Sequence, residues 1–295
     1  MNHRVSSLVA GLSLVLSACA VSGNATGHEA PGTAGSAGSD GVSSVGGTSI
    51  GGATSGEAGG LSSAAGMIDS GGSGGGTPMP IDYSIWQLQL PTGSGSSPNT
   101  VSPSKLLMGY MDPYFYPSPD DGGQMFMDPP TGITTTGSMH CRTELREMTP
   151  AGGQAGWQAT GTNTMTVTGK VVKGSGVTVA QVFDAGGGNT LCELQFNGQG
   201  FGLFYEESKG SGGNNTLNAP AALNTNYTFT LSLSNGVLSV TINGKQVYTH
   251  TPSAGTLKST FYFKVGNYDQ NTSAGPTSTA AHSIVENYSV VVVHQ

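Results

Sequence analysis

"YTFTLSLSNGVLSVTINGKQVYTH", residues 227–250, alternates apolar and polar side chains with a period of two. Tyr227, Phe229, Leu231 and Leu233 fall on one face, and the alternation resumes after Asn235-Gly236 with Leu238, Val240 and Ile242. Asn-Gly tolerates the positive φ that a two-residue hairpin turn demands, so the segment predicts a β-hairpin. Asn243-Gly244 predicts a second reversal directly after it. Outward from this hairpin the same period recurs. "YSIWQLQLP" (83–91) places Trp86, Leu88 and Leu90 opposite Gln87 and Gln89, and "HSIVENYSVVVVH" (282–294) reads as a buried strand. No stretch carries apolar residues at helical spacing, and no internal repeat stands out. Short strands with Gly-rich turns over about 200 residues predict an all-β sandwich or jelly roll.

The rest of the chain is organised differently. No Phe, Trp or Tyr precedes Tyr83, and residues 20–80 are mostly Gly, Ser, Ala and Thr. Such a composition cannot bury enough apolar surface to offset its ordering entropy, so 20–80 is expected to be a disordered tether. The first 19 residues, "MNHRVSSLVAGLSLVLSAC", carry Arg4 in a short basic head and an apolar run from Leu8 to Leu16, too short for a permanent membrane span and typical of an export signal. "LSAC" (16–19) resembles a bacterial lipobox, in which Cys19 is acylated and becomes the mature N-terminus; cleavage near Ala20 by an ordinary signal peptidase is the alternative. The expected product is exported, either secreted or held in the cell envelope by lipid on Cys19, with the folded domain spanning 81–295. A tethered enzyme of this kind would act on polymers too large to enter the cell.

Charge narrows the partners. The formal net charge is −7, and residues 81–295 keep 13 acids against 9 bases. No basic stripe suggests nucleic acid. Cys141 and Cys192 remain after export, and oxidising surroundings lead us to expect a disulfide between them. No Cys-x-x-Cys or paired-His spacing favours zinc. Asp120-Asp121 and Asp184 lack a diagnostic calcium spacing.

The functional signal is "HCRTELREM" (140–148). Arg occurs three times in the chain: Arg4, Arg142 and Arg146. On a strand, His140, Arg142, Glu144 and Arg146 share one face, and Cys141, Thr143 and Leu145 the other. Two guanidiniums two positions apart in so uncharged a chain predict a ligand-facing row, with Glu144 as their ion-pair partner. In "FYFKVGNYDQ" (261–270), Phe261, Phe263 and Val265 point inward, leaving Lys264, Tyr268 and Gln270 on the opposite face across the gap at Gly266. "VTVAQVFDAGGG" (177–188) places Gln181 with Phe183; no Gly-Lys-Ser/Thr follows to suggest phosphate binding. If these strands are neighbours, their polar faces form a concave floor suited to a polyanionic sugar chain. Hydrolysis, which needs two carboxylates flanking the bond, is disfavoured. His250, His282 and His294 fit no motif and are expected at the surface.

These motifs resemble, in order and spacing, those of the alginate lyase superfamily of polysaccharide lyase family 7: "WQLQLP", then Arg-(Ser/Thr)-Glu-Leu-Arg, Gln-(Ile/Val)-His, and Tyr-Phe-Lys-x-Gly-x-Tyr-x-Gln. The similarity spans roughly residues 82–292. It implies a β-jelly roll with an open groove and cleavage of β-1,4-linked polyuronate by elimination. Arg142 and Gln181 then match the groups that neutralise the uronate carboxylate, and Tyr268 the catalytic phenol. Arg146, Lys264 and Gln270 match groove residues, with Glu144 among them. One position departs: the family histidine falls on Phe183, which can neither accept nor donate a proton. His140 is the candidate substitute, because it falls on the same strand face as Arg142; the glucuronan lyases of family 20 are similar in carrying His-Cys-Arg here.

The resemblance implies a mechanism without metal or cofactor, and a monomer is expected. Arg142 and Gln181, with His140 if protonated, would stabilise the dianion formed when C5 loses its proton. Tyr268 would take that proton and return one to O4. A single base-acid group suits β-D-mannuronate and β-D-glucuronate, whose C5 proton and O4 lie on the same side of the ring. Mannuronate-rich alginate is the expected substrate and glucuronan the alternative. A non-catalytic uronate-binding module and a lectin-like sandwich are the rival classes. Loops around 92–104 and 208–218 would decide endo or exo action.

Overall fold

The computed structural model describes residues 80–295. The signal segment, Cys19 and the tether up to Met79 lie outside the described residues. The domain is a β-jelly roll in which two antiparallel sheets face each other. The first, of nine strands, runs Gly213–Pro220, Gly200–Tyr205, Asn189–Phe196, Val177–Asp184, Thr260–Asp269, Thr143–Glu147, Trp86–Ser94 and Ser97–Val101, with Trp157–Gln158 also paired to Thr260–Asp269. The second, of seven, runs Lys245–His250, Val237–Ile242, Tyr227–Ser234, Asn163–Lys173, Ser283–His294, Gln124–Asp128 and Phe115–Pro117. The hairpin turns form as the Asn-Gly pairs require, with Asn235, Gly236, Asn243 and Gly244 all at positive φ.

Register explains how one sheet serves both core and site. Leu88, Leu145, Val265, Ala180, Leu194 and Leu203 are successive cross-strand partners, and all are buried. They meet Met165, Val167, Leu231, Val240 and Val285 of the second sheet in one core. Burial of each such side chain contributes about 1.5–3 kcal/mol. One residue along each strand lies a second row: Gln87, Arg146, Lys264, Gln181, Glu193, Phe204 and Asn214. The one-residue offset sends every member to the other face. The apolar row fixes the register and thereby aligns the polar row.

Two irregularities interrupt this order. Leu194 pairs with Ala180 but Gln195 pairs with Thr178, so the Val177–Asp184 strand carries one extra residue at Val179. That bulge turns Thr178 onto the polar side of the sheet, where strict alternation would have pointed it into the apolar core; there its hydroxyl, fully buried, bonds Glu193 and Gln270. On the neighbouring strand Gly266 adopts φ +141°, and a Cβ there would lie 2.7 Å from the Thr143 carbonyl oxygen and 2.8 Å from the Phe126 ring. Only glycine fits opposite Glu144.

Several expectations are corrected. Cys141 and Cys192 are free and buried. They belong to positions three strands apart in the sheet order, about 14 Å at the usual ~4.8 Å spacing, whereas a disulfide needs Cα atoms within about 7 Å. The Cys141 thiol faces the Pro129 carbonyl, and Cys192 is part of the core. The three histidines lie at or near the surface as expected, each beside an acid: His282 with Asp269 at 2.6 Å, His294 with Glu147 at 2.7 Å, and His250 with Glu207 at 3.6 Å. The presumed loops are partly ordered, since Ser97–Val101 and Gly213–Pro220 are strands and Pro103–Leu107 is a short helix. Among the described residues no cluster of three or more His, Cys, Asp or Glu side chains is arranged to hold a metal. Asp121 instead pairs with Lys170.

Candidate active site

The polar row floors a groove. A cavity of about 340 Å³ is lined by Gln89, Ser138, Arg142, Arg146, Gln181, Phe183, Glu193, Glu206, Tyr262, Lys264 and Tyr268, among others. A second, of about 480 Å³, holds His140 and Gln270 and shares Ser138, Glu193, Glu206 and Tyr268 with the first. The three strands singled out in the sequence are neighbours, and their functional side chains converge.

Glu144 organises the cationic end. It is 1% exposed, and its carboxylate accepts from Lys264 Nζ at 2.5 Å, Gln181 Nε2 at 2.5 Å and Arg142 Nη1 at 3.4 Å. It therefore positions three groove residues rather than facing the ligand alone. Burial, with Arg142 nearby, pushes the Lys264 pKa down to about 8 against the pull of Glu144. Burial also opposes the charge of Arg142, but Glu144 and Tyr268 hold its pKa above the ordinary value. Arg146 is stacked over the Tyr262 ring with Cζ 4.2 Å from the centroid and bonds Gln154 at 2.9 Å. Gln89 Nε2 and the Nε atoms of Arg142 and Arg146 are fully enclosed without a partner, a desolvation cost carried beneath the cationic end of the groove.

Tyr268 lies against Arg142, whose Cζ is 3.7 Å from the ring centroid. Its hydroxyl is 3.1 Å from Ser138 Oγ. Ser138 also receives Arg142 Nη2 at 3.0 Å and donates to the His140 carbonyl at 2.9 Å. A hydroxyl has one proton, so while that proton is on the carbonyl, Tyr268 must be the donor to Ser138.

His140 is placed differently from the strand-face expectation. The strand begins at Thr143, and alternation does not reach His140. Its Nδ1 lies 2.6 Å from the Thr272 carbonyl oxygen. A carbonyl only accepts, so Nδ1 carries the proton and Nε2 of the neutral ring is left with its lone pair. The imidazole centroid is 6.2 Å from that of Tyr268. His140 thus flanks the phenol without joining the Arg142–Gln181 pair. Gln270 bonds Thr178 Oγ1 at 3.2 Å and forms the groove wall.

The likeness in sequence and shape is consistent with this geometry. A sequence profile of the family described as alginate lyase matches residues 81–295. The chain belongs to the alginate lyase family. Alginate lyase A1-II′, a member of polysaccharide lyase family 7, is 31% identical over 73% of this chain and 96% of its own, with a TM-score of 0.64. An alginate lyase from Pseudomonas aeruginosa is 25% identical over 72% of this chain and 100% of its own, with a TM-score of 0.65. A substituted form of A1-II′ solved in complex with a substrate, GGMG, is 31% identical over 73% and 94%, with a TM-score of 0.62. Comparison with curated proteins returns no significant match.

Against that family frame, Phe183 stands where the resemblance places a histidine. It lies 5.2 Å from the Tyr262 ring and 5.5 Å from Lys264 Nζ, so an aromatic pair occupies that wall. Sequence reading also passed over Ser138, Glu193, Glu206 and Tyr262. Tyr262 is two residues from Lys264 on one strand and was legible by parity; Ser138 lies in a turn, where parity says nothing. Ser138 is the positioning hydroxyl that can serve both forms of Tyr268, accepting from the phenol or turning its own proton toward the phenolate. Hydrogen bonds to charged groups contribute about 1.5–3 kcal/mol, so Ser138→Ala is expected to lower kcat roughly tenfold to a hundredfold with a smaller change in KM. Ser138→Thr should restore most of the rate. Steady-state kinetics on a uronate polymer, with melting curves of each variant, check this; wild-type kcat in Ser138→Ala would remove the hydroxyl from the mechanism.

Proposed function

We propose that this polysaccharide lyase cleaves β-1,4-linked polyuronate by β-elimination, that mannuronate-rich alginate is its substrate, and that its products carry 4,5-unsaturated ends. The observation that supports this reading most is the convergence of Arg142, Gln181 and Tyr268 in one groove. Two related structures of the similar A1-II′ enzyme hold oligosaccharides, one a GGMG substrate and another a GGG product, which supports a polysaccharide as the substrate class.

The C5 proton is weakly acidic because an ionised carboxylate stabilises an adjacent carbanion poorly. Arg142 and the free hydrogen of the Gln181 amide would hydrogen-bond that carboxylate and favour the dianion. Tyr268 as phenolate takes the C5 proton; the electron pair forms the C4–C5 double bond, the C4–O4 bond breaks, and the tyrosine proton passes to O4. Such a same-side path fits β-D-mannuronate and β-D-glucuronate. α-L-Guluronate would ask for a second group opposite Tyr268, and Phe183 has no proton to offer there. Glucuronan is the second reading, favoured by Phe183 together with His140, whose Nε2 is available beside Tyr268.

Incubation with polymannuronate, polyguluronate and glucuronan, followed by ultraviolet absorbance, separates these readings. Absorbance should rise first with polymannuronate, less with glucuronan and least with polyguluronate. Binding without absorbance from any polymer would instead identify a non-catalytic uronate-binding module. Tyr268→Phe should lose at least about a thousandfold in kcat, within the ~10²–10⁴ range of acid–base catalysis, while melting as the wild type does.

We further propose that the enzyme is exported and anchored by lipid at Cys19, on the strength of the apolar run and "LSAC". Labelled palmitate should be incorporated into the wild type and not into Cys19→Ser, which should move from the membrane fraction to the medium or periplasm. Equal labelling of both would refute the anchor.

A further inference from the structure

The groove is not uniformly cationic. Beyond Gln181, the next member of the polar row is Glu193, and Glu206 lies on the same wall. Both residues are more than nine-tenths buried, at 8% and 9% exposed. Each has one oxygen committed: Glu193 Oε2 accepts from Thr178 Oγ1 at 3.0 Å and Gln195 Nε2 at 2.9 Å, and Glu206 Oε1 accepts from the Gly210 amide. Among the described residues, the other oxygen of each makes no hydrogen bond or ion pair. Neither belongs to the fully enclosed polar atoms without a partner, so each has access to the groove. Lys209 lines the same wall but is exposed and forms no ion pair with either.

Two carboxylates in a groove for a polyanion would repel a uronate carboxylate placed beside them. They suit hydroxyl groups, because an ionised carboxylate only accepts hydrogen bonds. In a β-1,4-linked chain the ring edges alternate: a sugar presenting its C6 carboxylate to one side is followed by one presenting its C2–C3 hydroxyls there. Gln181 and Glu193 are direct partners on adjacent strands, separated by about 4.8 Å, a spacing comparable to one sugar along the chain.

We propose that Glu193 and Glu206 form a hydroxyl-reading subsite that accepts hydrogen bonds from the C2–C3 diol of the sugar next to the one whose carboxylate meets Arg142 and Gln181. The proposal rests on the polyuronate reading above and deepens it. The subsite sets the register of the polymer, since sliding the chain by one sugar would bring a carboxylate onto the two glutamates. It also requires unsubstituted hydroxyls, so a polymer O-acetylated at C2 and C3 would be refused there.

The test measures kcat and KM for wild type, Glu193→Ala and Glu193→Gln on polymannuronate and on its O-acetylated form, with melting temperatures to show that each variant folds. Expected are a KM raised about tenfold or more in Glu193→Ala, an intermediate value in Glu193→Gln, and a kcat changed far less than KM. Acetylation should raise the wild-type KM by a similar factor and the Glu193→Ala KM hardly at all, because the same contact is already lost. An unchanged KM in both variants, or acetylation acting with full strength on Glu193→Ala, would overturn the proposal. So would a collapse of kcat at constant KM, which would make Glu193 a proton-transfer group. If the wild type makes no unsaturated product, the lyase reading fails separately. Calorimetric binding of the two polymers then still tests the subsite, with the same pattern expected in Kd.

Discussion

The site depends on one buried carboxylate. Glu144 sits beneath the groove and holds a lysine, a glutamine and an arginine that come from three different strands or their approaches. Without it, Arg142 and Lys264 would be two like charges facing each other in a desolvated place. Breaking a buried pair by removing one member typically costs about 3–5 kcal/mol. The same carboxylate leaves one hydrogen of the Gln181 amide free and fixes where it points. Gly266 makes the arrangement possible, since any larger residue opposite Glu144 would collide with the Thr143 carbonyl or the Phe126 ring. A groove that must attract polyanions is thus stabilised in their absence from below, while Arg146 remains half-exposed at the face.

How much of this was legible in the sequence follows from where the backbone is regular. Period-two alternation identified the hairpin of 227–250, the Trp86 strand and the facing of Lys264, because an uninterrupted strand fixes side-chain parity. It placed Arg142, Gln181 and Tyr268 together only through the assumption that their strands were neighbours, which cross-strand pairing bears out. Parity failed where the strand was not regular. Thr178 comes under Glu193 and Gln270 through a bulge at Val179 that no residue type announces, and His140 precedes the strand and answers to Thr272 instead. The presumed disulfide failed for a different reason: compartment chemistry says that cysteines would be oxidised on meeting, not that they meet. Glu193 was unremarkable in "TLCELQF" because its meaning lies in standing next to Gln181, a relation that only the sheet order reveals.

Replacing a histidine-like position by Phe183 changes what the groove can do without emptying it. The ring packs beside Tyr262, and both lie close to cations, Lys264 over one and Arg146 over the other. Aromatic faces attract cations and the C–H faces of sugars alike, so that wall becomes a contact surface rather than a proton acceptor. On the proposed reading, proton transfer would fall to Tyr268, with Ser138 and His140 beside it. Such a one-sided arrangement would suit the proposed same-side elimination, leaving the other ring face to be held rather than reacted.

The role proposed for Tyr268 would place a demand on the backbone that carries it. Asn267 donates to the Phe126 carbonyl at 3.0 Å and accepts from Ser283 at 3.1 Å, and the Asp269 amide donates to Asp128 at 3.1 Å. The residues on either side of the tyrosine are therefore tied to the opposite sheet by hydrogen bonds, at a place where the rest of the seam is apolar. Such a polar seam carries a desolvation penalty: burial pushes the Asp128 carboxyl pKa well up, and its Oδ1 is left without a partner. An apolar pair would pack there at less cost but would slide. Directional bonds on both flanks restrict the strand to one position, and a phenol with the proposed task of taking a proton from one atom and returning it to its neighbour would gain more from that restriction than from a more stable core.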